Sequence, residues 1–241
     1  MLTPWHHVIA LVIVLGMPLR AYFGMRSLKL ASASGLVPLR RRLWWRAIAM
    51  QWLLVAIVVE LWLVTPQDFE VLGLMLKPTA GLTGVLVGVA TIVSLVLRQR
   101  GGLATDEALR ARVRERLAPV ERLLPRNRGE FPLFSALAIT AGVCEEFLFR
   151  GFLLWYAAQW LPLPVAALLQ AVAFGVGHAY QGARGVMLTG VAGLFFTGVR
   201  LVAGSLWPAM LIHALMDLHA GDLACRVFPP ESAEPGHSNA A

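Results

Sequence analysis

Seven apolar runs, each about as long as a helix needs to cross a hydrocarbon core (~20 residues), dominate this chain. They fall at roughly 5–24, 44–64, 80–97, 131–157, 163–180, 184–202 and 205–224. A backbone in lipid must satisfy its own hydrogen bonds, which leaves only helices and closed barrels as spanning forms. Runs this long and continuous predict helices. The expected fold is all-α, a polytopic integral membrane protein of about seven transmembrane helices. Charged residues make up 15% of the 241 residues, against about 25% in soluble domains. The opening MLTPWHH has no lysine or arginine to form the basic start of a cleavable signal, so the first run reads as a membrane helix.

The formal net charge of +7 invites a nucleic-acid reading, which its distribution excludes. Seven basic residues (Arg20, Arg26, Lys29, Arg40, Arg41, Arg42, Arg46) lie between or beside the first two runs, and nine lie from Arg98 to Arg128. The connection between runs two and three has only Lys77, and that between runs four and five has none. Short basic loops stay cytoplasmic. The expected topology therefore puts the N-terminus outside and the C-terminus in the cytoplasm, with membrane lipids as partners of the basic loops. An Arg-, Ala- and Leu-rich, Lys-poor chain suits a GC-rich bacterium and its inner membrane.

Three regions and a tail follow. Residues 1–104 hold three helices with few polar groups; Gly84 and Gly88 in the third form a small-xxx-small pattern suited to close packing, and Glu60 is a lone acid near the outer end of the second. Residues 105–130 read as a basic amphipathic connector at the cytoplasmic surface. Thr105 is placed to cap it, and Leu109, Val113, Leu117 and Val120 form its apolar face. Residues 131–225 hold four helices and most of the intramembrane polar groups. Gly185, Thr189, Gly193 and Thr197 give the sixth helix a ladder of small residues. Residues 226–241 read as a disordered tail, with His237 incidental.

A charged side chain at the centre of a membrane helix costs ~2.5–3.5 kcal/mol on insertion scales, so each calls for a functional reason. The third region carries Glu145, Glu146 and Arg150 in its first helix, His178 in its second, and His213 and Asp217 in its last. Glu146 and Arg150 are spaced to share a face, with the glutamate N-terminal to its cation; they read as a structural ion pair. Glu145 is turned about 100° away, leaving its carboxylate to face something else. His213 and Asp217 share a face of the last helix. His178 follows Phe174-Gly-Val-Gly177, where the glycines leave room for a neighbour or for water. A glutamate and a histidine around one water make a hydrolytic arrangement. Cys144 reads as a small buried residue, Cys225 as uninformative, and His6, His7 and His219 as structural.

Three segments carry a family resemblance. EEFLFR (145–150) matches EExxxR, FGVGH (174–178) matches FxxxH, and SLWPAMLIHALMD (205–217) resembles a Trp-Pro turn followed by HxxxN/D. In this order on separate membrane helices, they resemble the CPBP family of intramembrane proteases, which includes the type II CAAX prenyl endopeptidases and the Abi bacteriocin-immunity proteins. The resemblance covers about 130–220, with the active site expected inside a C-terminal four-helix bundle. It implies an endopeptidase acting on a membrane-associated or C-terminally tailed protein, in which Glu145 and His178 activate water. It also implies that His213 and Asp217 stabilise the oxyanion, that Glu146 and Arg150 hold the site together, and that Phe174 supports the motif. Asp217 stands where the prenyl-protease pattern has asparagine. A carboxylate is a poor oxyanion donor but a good metal ligand, so His178, His213 and Asp217 form an alternative zinc set. Both a zinc enzyme and a metal-free glutamate mechanism remain open. The competing functions are a proton-coupled transporter using Glu145, His178 and Asp217 as a relay, and a catalytically inert immunity or scaffold member of the family. No repeat between the halves supports the transporter, and no motif residue is lost, as an inert member would suggest.

Overall fold

The computed structural model describes residues 2–65, 67–76, 80–102 and 106–229. Lys77, Thr105, His237 and nearly all of the expected tail lie outside them. Every regular element among the described residues is helical. Helix α1 (Pro4–Leu11) runs through a π-turn into α2 (Met17–Leu30), and the two form one continuous span. Helix α3 (Ala33–Val64) follows, capped by Ser32, whose hydroxyl accepts from the Gly35 amide at 3.3 Å. Then come α4 (Ala80–Gly102) and α5 (Glu107–Leu117). Helix α6 (Phe131–Glu145) continues through a π-helical segment, Glu146–Leu153, into α7 (Leu154–Ala158). The chain ends with α8 (Leu163–Gly177), α9 (Gly182–Ala203) and α10 (Trp207–Val227). Proline sits in the first turn of α1, α6, α8 and α10, where the amide it lacks has no partner in the helix.

All seven expected runs are therefore helical, and the chain is an all-α polytopic membrane protein. Five helices are long and apolar enough to span: Pro4–Leu30, Ala33–Val64, Ala80–Arg98, Phe131–Ala158 and Ala179–Ala203. The other two depart from a plain span for different reasons. Helix α8 is a shorter apolar helix, and α10 carries His213, Asp217, His219, Asp222 and Arg226 along its length. That last helix also runs to Val227, past the expected start of the tail.

Close backbone approaches fix the arrangement around the motifs. A Cβ on Gly142 of α6 would lie 2.6 Å from the amide nitrogen of Ala214 in α10, so only glycine lets these helices meet there. Gly175 of α8 stands equally close to the Val186 carbonyl of α9, and Gly193 packs against Ala171. Gly177, by contrast, has open space beside it and lines a cavity. Among the described residues nothing lies close to Gly84 and Gly88 of α4, so the small-xxx-small pattern meets no neighbour there. Gly81, one turn earlier, does meet a neighbour, the Val202 carbonyl.

The connector folds as a helix against the bundle. Asp106 caps α5 by accepting from the Leu109 amide at 2.8 Å. Its apolar residues Leu109, Val113, Leu117 and Val120 pack into a cluster with Trp44, Phe134, Leu223 and Val227. The polar groups of the connector reach inward as well. Arg122 donates to the Leu28 carbonyl at the end of α2 at 2.8 Å. Glu130 at the entry to α6 holds buried Arg40 of α3 through two oxygens at 2.8 and 2.9 Å. Helices α2 and α3 are thereby tied to the C-terminal bundle.

Candidate active site

The π-helical segment begins at Glu146, so the EEFLFR motif sits where α6 widens its turn. Single π turns inside α-helices occur often at functional sites. The Glu146–Arg150 spacing survives it: Arg150 Nη1 donates to Glu146 Oε1 at 2.9 Å, and both side chains are fully buried. Arg150 lies over the rings of Phe174 and Phe196, 4.0 and 5.4 Å from their centroids, a cation–π cage in place of a second carboxylate.

Glu146 Oε1 accepts a second hydrogen bond, from Nδ1 of His213 at 2.8 Å. The close approach of Gly142 to Ala214 brings these two helices near enough for that bond. The ring of His213 stacks on Phe196 at 5.1 Å and meets the edge of Phe174 at 6.1 Å. With Nδ1 committed to Glu146, Nε2 is directed toward Asp217, whose Oδ2 lies 3.8 Å away. That is a neighbour rather than a hydrogen bond. Asp217 is more open than His213, with 41% of its side chain exposed.

His178 ends α8. Its Nδ1 donates to the Phe174 carbonyl one turn back at 2.8 Å, which leaves Nε2 with its lone pair. Phe174 thus touches three members of the cluster: it stacks obliquely on His178 at 4.7 Å, supports Arg150 and abuts His213.

Glu145, His178, His213 and Asp217 all line one cavity of ≈ 370 Å³. Glu146 and Arg150 lie behind it, fully buried. The cavity is not walled by the C-terminal four helices alone. Met17, Arg20 and Gly24 of α2, Trp44, Met50 and Gln51 of α3, and Leu123 and Leu124 of the connector contribute as well. One of these touches the motif directly: Gln51 Nε2 donates to Glu145 Oε1 at 3.2 Å. Gln51 is buried, and its own Oε1 has no partner among the described residues. A glutamine within an apolar run is the one sequence signal for this contact, and nothing in the run says which helix it faces.

Among the described residues no three of His, Cys, Asp and Glu come together in a way that could hold a metal ion.

Several other residues that stand out in the sequence stay apart from the cavity. Glu60 is exposed on α3. His6 is buried among Trp62, Phe152 and Trp155, with Nδ1 bonded to Thr3, and His7 meets the Tyr156 hydroxyl at 2.7 Å. Cys144 is fully buried beside Glu145 and does not line the cavity.

Residues 127–219 match the family model described as Rce1-like, type II CAAX prenyl endopeptidase Rce1-like. The match contains all three motifs and every polar residue of the cluster except Gln51. The matched residues form an Rce1-like domain, in agreement with the CPBP resemblance of the three motifs, within an integral membrane protein. No curated protein and no solved structure matches the chain.

Proposed function

We propose that the chain is an intramembrane endopeptidase that hydrolyses a peptide bond of a membrane-associated or C-terminally tailed protein. The observation that carries this reading is the cavity that collects Glu145, His178, His213 and Asp217 from three helices inside the Rce1-like match. Glu145 has one oxygen held by Gln51 and faces the cavity with the rest of its carboxylate. His178 offers the lone pair of Nε2. A water held by these two acceptors loses a proton to Glu145 as its oxygen attacks the scissile carbonyl carbon. The carbonyl oxygen becomes an oxyanion, for which His213, when protonated on both nitrogens, donates from Nε2. Collapse breaks the C–N bond, and Glu145 returns the proton to the leaving amine.

Asp217 acts here through His213 rather than as an oxyanion donor, since a carboxylate has no proton to give. Glu146 orients His213 and is itself neutralised by Arg150, so the pair acts as the frame of the site. In this reading the active site faces the cytoplasm, with the N-terminus outside, in a bacterial inner membrane; the basic loops support that orientation.

The test compares wild type with Glu145→Ala at equal accumulation, by mass spectrometry of protein termini in membranes of the native host. A terminus formed by wild type and reduced at least about a hundredfold in Glu145→Ala, the loss expected for a general base, supports the endopeptidase and identifies its substrate. Identical termini in both strains across growth conditions would sink it.

A further inference from the structure

The cavity contains one hydroxyl, and the reaction proposed above gives it no task. Tyr180 is the single serine, threonine or tyrosine among the residues that line the cavity. The end of α8 decides where it stands. After Gly177 the chain makes one tight turn, Ala179–Gln181, closed by the Gln181 amide donating to the His178 carbonyl at 2.9 Å. Gly182 leaves that turn at φ +83°, a conformation that suits glycine, and α9 begins. The turn sets the Tyr180 ring beside that of His178, with centroids 5.8 Å apart. Tyr180 also packs against Met25 and Leu28 of α2 and Leu36 of α3, so its ring is held by packing as well as by the turn.

The hydroxyl itself is nearly free. Its oxygen accepts one long hydrogen bond, from Gln181 Nε2 at 3.5 Å, and among the described residues nothing accepts its proton. Several other donors of the cavity wall are already spent. Trp44 Nε1 donates to the Leu123 carbonyl at 3.0 Å, Gln51 Nε2 to Glu145, and His178 Nδ1 to the Phe174 carbonyl. Arg20 lines the cavity from α2, but among the described residues it has no hydrogen bond or ring contact with His178 or His213. The oxyanion of the proposed reaction, meanwhile, has one donor, Nε2 of His213, because Asp217 has no proton to give. Oxyanion holes work by aiming fixed donors at the place where charge develops.

The geometry points to the Tyr180 hydroxyl as a second oxyanion donor, acting beside His213; the role rests on the endopeptidase reading. Glu145 and His178 hold the attacking water, so the scissile carbonyl lies within reach of His178, and Tyr180 is the neighbour that brings a hydroxyl there. As the water oxygen bonds to the carbonyl carbon, the C=O π pair moves onto oxygen. Tyr180 donates a hydrogen bond to that oxygen and keeps its own proton. When the C–N bond breaks, the C=O bond re-forms and the phenol is released unchanged. A phenol O–H donates without bringing a further charge into the cavity.

The experiment uses the full chain in phosphatidylcholine nanodiscs. The probe is a short, internally quenched apolar peptide, the one that wild type cleaves best from a pooled set, and Glu145→Ala sets the background. Tyr180→Phe keeps the ring and removes the hydroxyl. It should lower kcat about a hundredfold and leave KM close to wild type, because the lost bond forms only in the transition state. It should unfold at the same temperature as wild type, since the hydroxyl gives up only a long bond. Gln181→Leu, which removes that same bond, should change kcat far less. An unchanged kcat in Tyr180→Phe overturns the proposal. So does a loss carried by KM alone, a loss that Gln181→Leu reproduces in full, or one explained by a lower unfolding temperature. Cleavage that Glu145→Ala abolishes and Tyr180→Phe spares keeps the endopeptidase reading and removes this donor. A wild type that cleaves no better than Glu145→Ala removes both.

Discussion

Helix α6 and its π continuation carry buried carboxylates at both ends, and the two ends are built differently. At the start, Glu130 is saturated. Its Oε1 accepts from Arg40 Nε and Nη2, and its Oε2 accepts from Arg40 Nη2, the Arg126 amide and Asn127. At the other end, Glu146 places both Arg150 and His213 on the same oxygen, and its buried Oε2 has no partner among the described residues. Arg150 likewise has two nitrogens without hydrogen bonds and rests on aromatic faces. The first end is a finished joint between helices. The second is under-satisfied beside a cavity, as expected where a site gives up stability for reactivity. Two buried ion pairs of similar burial thus have opposite meanings, and the partner count tells them apart.

The largest effect should come from breaking the finished joint. Glu130→Ala leaves the fully buried Arg40 without its carboxylate, and removing one partner of a buried pair costs about 3–5 kcal/mol. Thermal unfolding in detergent, followed by tryptophan fluorescence, should show a marked drop in Tm. Activity should fall only with the folded fraction. A Tm close to wild type would erase the distinction between the two ends.

The second test replaces the other pair as a unit. Glu146→Leu together with Arg150→Met exchanges charges for apolar groups of similar reach, a change that is often neutral or stabilising for buried pairs. Stability should therefore stay within about 1 kcal/mol of wild type. Cleavage should drop about a hundredfold, as for the loss of a group that orients a catalytic histidine. If the double variant unfolds as readily as Glu130→Ala, Glu146 and Arg150 are a second structural joint and not the frame of a site.

The same contrast explains what can be read from the sequence. Contacts within one helix are legible because a helix repeats: the spacing of Glu146 to Arg150 and of His213 to Asp217 is enough by itself to place each pair on a shared face. The membrane class follows from run length. What crosses between helices leaves no periodic trace. Nothing in residues 33–64 says that Arg40 reaches Glu130 or that Gln51 reaches Glu145, and the apolar face of α5 reads the same whether it meets lipid or Trp44. The π segment at Glu146–Leu153 is hidden for a related reason. Its composition is that of an ordinary apolar helix, which carries no signal for a wider turn. Gly84 and Gly88 show the opposite error, since a packing pattern is present without a packing partner among the described residues.

The smallest expected effect sharpens the contrast most, because it tests α3 at both ends of α6. Arg40 and Gln51 are spaced to return to the same face of α3, and both are buried. Arg40 meets the finished joint, while Gln51 offers Glu145 a single neutral amide hydrogen bond at 3.2 Å. Gln51→Leu removes that bond and also the unpartnered Oε1, so the cost of a lost buried hydrogen bond is offset by removing a buried polar atom. Stability should therefore change little, within about 1 kcal/mol. Glu145, freed from its tether, should sample orientations that do not reach the water, and kcat should fall about tenfold while KM stays near wild type. Gln51→Glu should be worse than Gln51→Leu, because it sets a second carboxylate against Glu145. An unchanged kcat in Gln51→Leu would mean that α3 supports the site only through the Arg40 joint, and that Glu145 is positioned from within its own helix.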